Sequence, residues 1–250
     1  MKRAQTLLVS VLLAASALLV TTPGAFAYRS DTWSNFNSFT ARCLGFNDTY
    51  PQQLYWNAQS LMSWLGYSPR GGTVGANFTR SAFLGNVLPD WAVYVHSHGD
   101  NYWSNYPNVD SGFLQDPGTT RCSDFSQDVI RSSTIRAVTN GSPYNLVIMS
   151  TCKLGSASST MSDAFQIPMT KTNAGRKFYL GYVYTTYDSA AYQFESNFLS
   201  YLVGGGSWYR RSLYGAFLYA TYVGGYESPD AADPFQANWW GNPYYDGTPG

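Results

Sequence analysis

Three short runs of largely apolar residues stand out along the chain, at positions 91–95, 146–150 and 178–184. Each run is short for a buried helix and is followed by a polar segment. Continuous apolar runs of this kind are typical of strands that are buried on both faces, as in parallel sheets. The pattern therefore predicts at least three strands in the interior of one sheet.

Segments with helical spacing lie before, between and after these runs. Apolar residues recur three or four positions apart in segment 53–66, where Gly66 can end a helix, and in segment 188–203, where Asp188 can cap one. Two further helices are predicted over 126–138 and from Ser207 onwards. Strands that alternate with helices predict an α/β fold, with a mainly parallel central sheet covered by helices on both faces.

Two of the three predicted strands end in residues that carry chemistry. The first continues into His96, His98, Gly99 and Asp100, and the second continues into Cys152. Because the carboxyl ends of parallel strands lie at one edge of a sheet, and ligands bind at that edge, we expect these side chains to lie close together.

One interpretation of this edge is a metal site. The spacing His-x-His-x-Asp resembles part of the zinc-binding motif of the metallo-β-lactamase fold, but Asn101 stands at the next motif position. That site needs further histidines, and the chain contains only two. A smaller zinc site formed by His96, His98 and Cys152 remains chemically allowed, because zinc accepts nitrogen and sulfur ligands. We expect neither a metal nor another cofactor.

The interpretation we favour makes Cys152 a nucleophile. A thiol reacts as its thiolate, and a histidine at the neighbouring strand end can take the proton. Acyl transfer also needs hydrogen-bond donors at the developing oxyanion, and the backbone N–H groups of Gly99 and Cys152 can supply them. These residues therefore meet the chemical requirements of acyl transfer to a cysteine nucleophile. A buried structural cysteine and a structural loop histidine are the alternatives.

An apolar block that ends in His-Gly, followed by a second block that ends in Cys, resembles the caspase-like cysteine peptidases, a group that includes gingipains, clostripain and legumains. The resemblance covers about residues 50–222. It implies a three-layer caspase-like fold and a cysteine endopeptidase that acts on peptides or proteins. By this match His98 is the catalytic base, Cys152 is the nucleophile and Gly99 is the oxyanion donor.

The resemblance also suggests which residues line a specificity pocket. Several members that prefer basic substrates carry an acid two positions before the cysteine, where this chain has Ser150. No preference for Arg or Lys is therefore inferred. Asp100 and Asp188 are further candidates for the pocket, although each also suits a turn or a helix cap.

The first 27 residues predict export. Lys2 and Arg3 precede an apolar run and a cleavage site of small residues that ends at Ala27, which is the pattern of a secretory signal peptide. We expect a secreted protein with no membrane attachment after cleavage. Loss of Lys2 and Arg3 leaves 13 basic and 15 acidic residues, a balance that does not favour a nucleic-acid partner.

Three cysteines in an oxidising compartment suggest one disulfide and one free thiol. Cys43 and Cys122 both lie in polar surroundings, whereas Cys152 ends an apolar run. The preferred pairing is therefore Cys43 with Cys122, while the other two pairings stay open.

Residues 28–230 are predicted to form the α/β domain, and residues 231–250 a tail rich in aromatic residues, proline and glycine. The tail either packs across the domain or forms an exposed patch. In the second case Trp239, Trp240, Tyr244 and Tyr245 can stack on sugar rings or on a partner protein. The alternative function is accordingly an inactive caspase-like protein that binds a glycan, the cell wall or another protein.

Overall fold

The computed structural model describes residues 28–34, 49–74, 78–87, 90–100, 110–114, 129–139, 144–172, 175–184, 186, 188–204, 212–223, 237–242, 244–245 and 247–248. Its strands, β1 to β9 in chain order, are Arg29–Ser34, Ser68–Val74, Asp90–His96, Gly99–Asp100, Gly112–Leu114, Val129–Arg131, Leu146–Ser150, Phe178–Tyr182 and Ala237–Gly241. Its helices, α1 to α6, are Thr49–Leu65, Arg80–Val87, Ser132–Thr139, Met161–Ala164, Asp188–Val203 and Leu213–Val223.

Six strands form the central sheet in the order β2-β1-β3-β7-β8-β9. Neighbouring strands run parallel from β2 to β8, and only β9 is antiparallel to its neighbour. A second, small antiparallel sheet contains β4, β5 and β6. The prediction of a mainly parallel central sheet is therefore confirmed.

Alternate residues of the central strands point to two separate apolar cores, as the pleat of a strand requires. On one face Tyr94, Ile148 and Leu180 pack with helices α1, α5 and α6. On the other face Val95, Met149 and Tyr179 pack with α2, α3 and α4. Helices thus cover both faces of the sheet, as the alternation of elements predicted.

The predicted elements differ from the observed ones mainly at their ends. The strand predicted at 146–150 is confirmed at both ends, the first predicted strand extends over Asp90–His96, and the third stops at Tyr182. The predicted helix at 126–138 is wrong over Val129–Arg131, which pair with β5. Helix α3 begins only at Ser132, because the Asp110 carboxylate accepts hydrogen bonds from Ser132 and Ser133 at its start.

Much of the C-terminal tail packs against the domain. Strand β9 pairs with β8, and the Trp239 ring stacks on Phe178. Trp239 and Tyr245 are both buried, whereas Tyr244 is 69% exposed. The described part of the tail therefore forms the sixth strand of the sheet, not a continuous exposed aromatic surface.

The predicted signal peptide, Cys43 and Cys122 lie outside the residues that the structure describes. Within the described segments, no helix has the length and apolar character needed to cross a bilayer. Export and the disulfide therefore stay predictions.

Candidate active site

The two chemically interesting strand ends are neighbours at one edge of the sheet. Strands β3 and β7 run side by side, with His96 opposite Ser150. The Ser97 N–H donates to the Ser150 carbonyl at 3.3 Å, so the pairing continues one residue beyond β3. The chain therefore leaves both strands at the same edge, on its way to His98 and to Cys152.

Gly99 shows how closely the two chains approach each other. A Cβ atom on Gly99 would lie 2.9 Å from both the Cys152 carbonyl oxygen and the Thr151 Cβ. Contacts this short do not occur around real side chains, so only glycine fits without a shift of the backbone. The residue after His98 thus packs directly against the residue that carries the thiol.

The Cys152 side chain is half-buried and forms no disulfide with another described residue. Its Sγ atom accepts the Thr186 N–H at 3.3 Å and lies 3.6 Å from the Thr186 carbonyl oxygen. The N–H contact suits a thiolate as acceptor, and the carbonyl contact suits a neutral thiol as donor. The segment after β8 therefore provides polar contacts to the sulfur.

The loop after Cys152 is held by the segments around β8. The Lys153 N–H donates to the Tyr184 carbonyl at 3.2 Å, and the Gly155 N–H donates to the Tyr182 carbonyl at 2.7 Å. The buried Tyr179 hydroxyl donates to the Leu154 carbonyl at 2.8 Å. Burial raises the pKa of Tyr179 well above 10, so this hydroxyl keeps its proton at neutral pH.

The comparisons with known proteins show that the chain has a known fold. The structure superposes on the Arg-specific cysteine proteinase gingipain R with a TM-score of 0.56, at 10% identity over 91% of this chain and 49% of that one. The complex of the Porphyromonas gingivalis RgpB pro- and mature domains gives a TM-score of 0.52, also at 10% identity, over 91% of this chain and 50% of that one. A third match, described only as a protease, gives 0.50 at 12% identity, over 89% of this chain and 49% of that one.

The fold is caspase-like. The chain spans about half the length of the solved structures that it matches. No protein-family model and no curated protein sequence matches it. At this level of identity the likeness shows the shared fold, and the roles of individual residues rest on the geometry of this chain.

A buried polar layer lies within this caspase-like fold, beside the strand ends. Glu195 of α5 is fully buried, and its carboxylate accepts hydrogen bonds from the Tyr94 hydroxyl at 2.7 Å and the Tyr182 hydroxyl at 2.9 Å. The Ser150 hydroxyl also bonds to this carboxylate and lies 2.8 Å from Nδ1 of His96. Burial raises the pKa of Glu195, while His96 and the three hydroxyls oppose the shift.

The predicted site residues have different positions in this arrangement. Gly99 and Cys152 are in contact, and His98 is the half-buried residue just before Gly99. Asp100 forms an ion pair with Lys153. Two further predicted residues complete the set: Ser150 is buried against His96, and Asp188 is the first residue of α5.

The structure brings no metal-ligand cluster together at the sheet edge. Across the described residues, which include His96, His98 and Cys152, no three His, Cys, Asp or Glu side chains lie close enough together to hold an ion. The small zinc site that the sequence left open therefore has no support in the geometry.

Sequence analysis missed Glu195 as part of this region. The signal was present in the helical spacing, because Glu195 stands four positions after Ala191 and three before Phe198 on the apolar face of α5. A carboxylate on a face that is otherwise apolar must find partners inside the protein, since an unpaired buried charge is very unfavourable.

Proposed function

We propose that this chain is a secreted cysteine endopeptidase in which His98 and Cys152 form the catalytic dyad. The observation that carries the proposal is the packing of Gly99 against Cys152, which puts the two strand ends in contact. A caspase-like fold is consistent with peptide or protein substrates. The dyad requires no metal or organic cofactor.

The reaction follows from the order of the groups at the edge. His98 takes the proton from Cys152, and Sγ attacks the carbonyl carbon of the peptide bond. The carbonyl electron pair moves to oxygen, where the N–H groups of Gly99 and Cys152 stabilise the charge. The intermediate collapses, the C–N bond breaks, and the amine leaves with the proton from His98.

A water molecule completes the cycle. His98 removes a proton from the water as its oxygen attacks the thioester carbonyl of the acyl-enzyme. The C–S bond then breaks, the carboxylic acid product leaves, and the proton returns to the sulfur. The Thr186 N–H, which already donates to Sγ, favours the thiolate both before attack and at this second departure.

The substrate class is stated no more finely than peptides and proteins. Gingipain R is described as Arg-specific, but that description belongs to that protein. In this chain Ser150, two positions before Cys152, is neutral and hydrogen-bonded to buried groups. The proposal includes a specificity pocket that is lined by Ser150, Asp100 and Asp188. We infer no preference of the peptidase for Arg or Lys.

The first test is the reactivity of the Cys152 thiol in the native protein. An ordinary thiol has a pKa of about 8.5 and reacts slowly well below pH 8. If His98 takes the proton of Cys152, iodoacetamide should modify Cys152 selectively in that pH range. His98→Asn should remove the low-pH reaction, whereas His96→Gln, at the buried histidine, should weaken it less. Cys152→Ala should abolish peptide cleavage, and full activity in that variant would falsify the dyad.

The alternative is an inactive binding protein with the same fold. It is favoured by large aromatic side chains that stay exposed, namely Trp56 at 55%, Tyr222 at 61% and Tyr244 at 69%. Pull-down on insoluble cell-wall glycan should separate the two functions. Retention that is lost in Trp56→Ala or Tyr244→Ala, with a Cys152 thiol that reacts only after denaturation, would support binding.

A further inference from the structure

An ion pair joins two residues that lie shortly after the members of the proposed dyad. The Lys153 ammonium nitrogen lies 3.0 Å from Oδ2 of Asp100, and the two side chains are 37% and 31% exposed. Asp100 is two positions after His98, and Lys153 is one position after Cys152. The pair therefore spans the two loops whose relative position decides whether His98 reaches the thiol.

Each partner is anchored in its own part of the fold. Asp100 belongs to β4, which pairs with β5 in the small sheet, opposite Gly112. Lys153 donates its backbone N–H to the Tyr184 carbonyl, beyond the end of β8. The ion pair thus connects the small antiparallel sheet to the loop that follows β7.

Lys153 adopts a backbone conformation that a lysine disfavours. Its φ angle is 60°, in the left-handed region where Cβ approaches the carbonyl oxygen. A residue with a side chain stays there only when its surroundings hold it, and such strain tends to occur at functional sites. The ion pair, the backbone hydrogen bond to Tyr184 and the hydrogen bond that the Lys153 carbonyl accepts from the Ser156 N–H all hold Lys153 in place.

We propose that Asp100 and Lys153 are a positioning pair that holds the His98 loop in register with the Cys152 loop. The inference rests on the proposed function, because it concerns the geometry of the same dyad. Both are positioning residues in this proposal. Their effect comes through the distance and orientation of His98 relative to Cys152, to which proton transfer and attack are both sensitive.

Positioning and simple charge effects predict different results. If the charges acted only through space, Asp100→Asn would favour the thiolate and Lys153→Met would disfavour it, since a nearby cation stabilises the anion. If the pair acts by position, both substitutions slow alkylation in the same direction. The double variant should then be no slower than either single variant, because both remove the same contact.

The experiment measures the rate of Cys152 alkylation by iodoacetamide against pH in the full chain. Asp100→Asn and Lys153→Met should each lower the rate by about threefold to fivefold, as expected for a partly exposed ion pair. The charge-reversed double variant, Asp100→Lys with Lys153→Asp, should recover most of the rate. The proposal would be overturned if the two single variants changed the alkylation rate in opposite directions, or if their effects on the rate added in the double variant.

Two further variants separate the ion pair from its surroundings. Lys153→Gly relieves the left-handed strain but removes the ammonium, and it should be as slow as Lys153→Met. The matched control is Arg136→Met with Asp163→Asn, which removes an exposed ion pair between α3 and α4. That control should keep the wild-type rate. A slow control would show a general effect of lost charge and would count against positioning.

A second measurement keeps the inference separate from the proposed function. Amide hydrogen exchange at Lys153 and Gly155, whose N–H groups are bonded to the segment around β8, does not depend on catalysis. Exchange should be faster in both single variants and restored in the charge-reversed variant. Unchanged exchange would contradict positioning even in an active peptidase. If exchange is faster in both single variants but the Cys152 thiol is unreactive, the positioning role is supported and the proposed peptidase function is contradicted.

Discussion

Gly99 shows how a single residue constrains the site. It is the only residue between His98 and Asp100, and its missing side chain lets the backbone pass within contact distance of Cys152. From the sequence, Gly99 is predicted to let the backbone approach the substrate and to supply an N–H group to the oxyanion. Close packing gives a second, independent reason for glycine at this position.

Gly99→Ala should therefore affect both stability and reactivity. The new Cβ would crowd the Cys152 carbonyl, and we expect the free energy of unfolding to fall by about 1–3 kcal/mol, together with slower alkylation of Cys152. Gly85→Ala is the matched control, because its Cβ would have nothing within 4 Å. Because Gly85 is exposed in helix α2, Gly85→Ala should raise the free energy of unfolding by up to about 1 kcal/mol. Denaturant titration of both variants tests this, and equal effects would contradict the contact.

The strands differ in how well their own residues predict them. Strand β7 is a continuous apolar run, and its predicted bounds are the observed ones. Strand β1, by contrast, has the sequence RSDTWS and was not predicted, although Ser30, Thr32 and Ser34 are buried within the sheet. Apolar periodicity cannot find such a strand, because its place between β2 and β3 depends on pairing and not on its own hydrophobicity.

Strand β9 provides a prediction at the same scale. The Trp239 ring stacks on Phe178 at 6.0 Å between centroids and lies against Tyr214. Trp239→Ala should lower the free energy of unfolding by about 3–5 kcal/mol. Tyr244→Ala, five residues later and 69% exposed, should change it by no more than about 0.5 kcal/mol. If Trp239→Ala left the free energy of unfolding unchanged in thermal or denaturant unfolding, the tail would not pack as described.

In the described part of the molecule the central sheet lies between two apolar cores, and the polar layer around Glu195 is an exception inside one of them. Tyr94 of β3, Ser150 of β7 and Tyr182 of β8 all bond to this one carboxylate of α5. The network therefore joins three neighbouring strands and a helix, and its protonation should affect the stability of the entire domain.

The sign of this effect follows from the raised pKa of Glu195. An acid with a higher pKa in the folded protein holds its proton more tightly there, so its contribution to stability is complete below its ordinary pKa of 4.5. That contribution is lost as the pH rises through the folded value. Glu195→Gln, which stays neutral, should remove this fall in the free energy of unfolding above pH 4.5.

Denaturant unfolding at a series of pH values measures the difference between the wild type and Glu195→Gln. Asp163→Asn, at an exposed carboxylate of α4, is the control and should keep the wild-type dependence on pH. A Glu195→Gln profile that runs parallel to the wild type at every pH would show that Glu195 is not the group responsible.

The local sequence determined the interior strands β3, β7 and β8, most helices and the identity of the chemical groups, because apolar periodicity and short motifs report burial and reactivity directly. The tertiary structure decided which of these groups meet. It placed β1 and β9 in the sheet, buried Glu195 beside Tyr94 and Tyr182, and paired Asp100 with Lys153. Those contacts join residues that are far apart in the chain. Strand order and packing decide which residues meet, and no local sequence pattern encodes either of them.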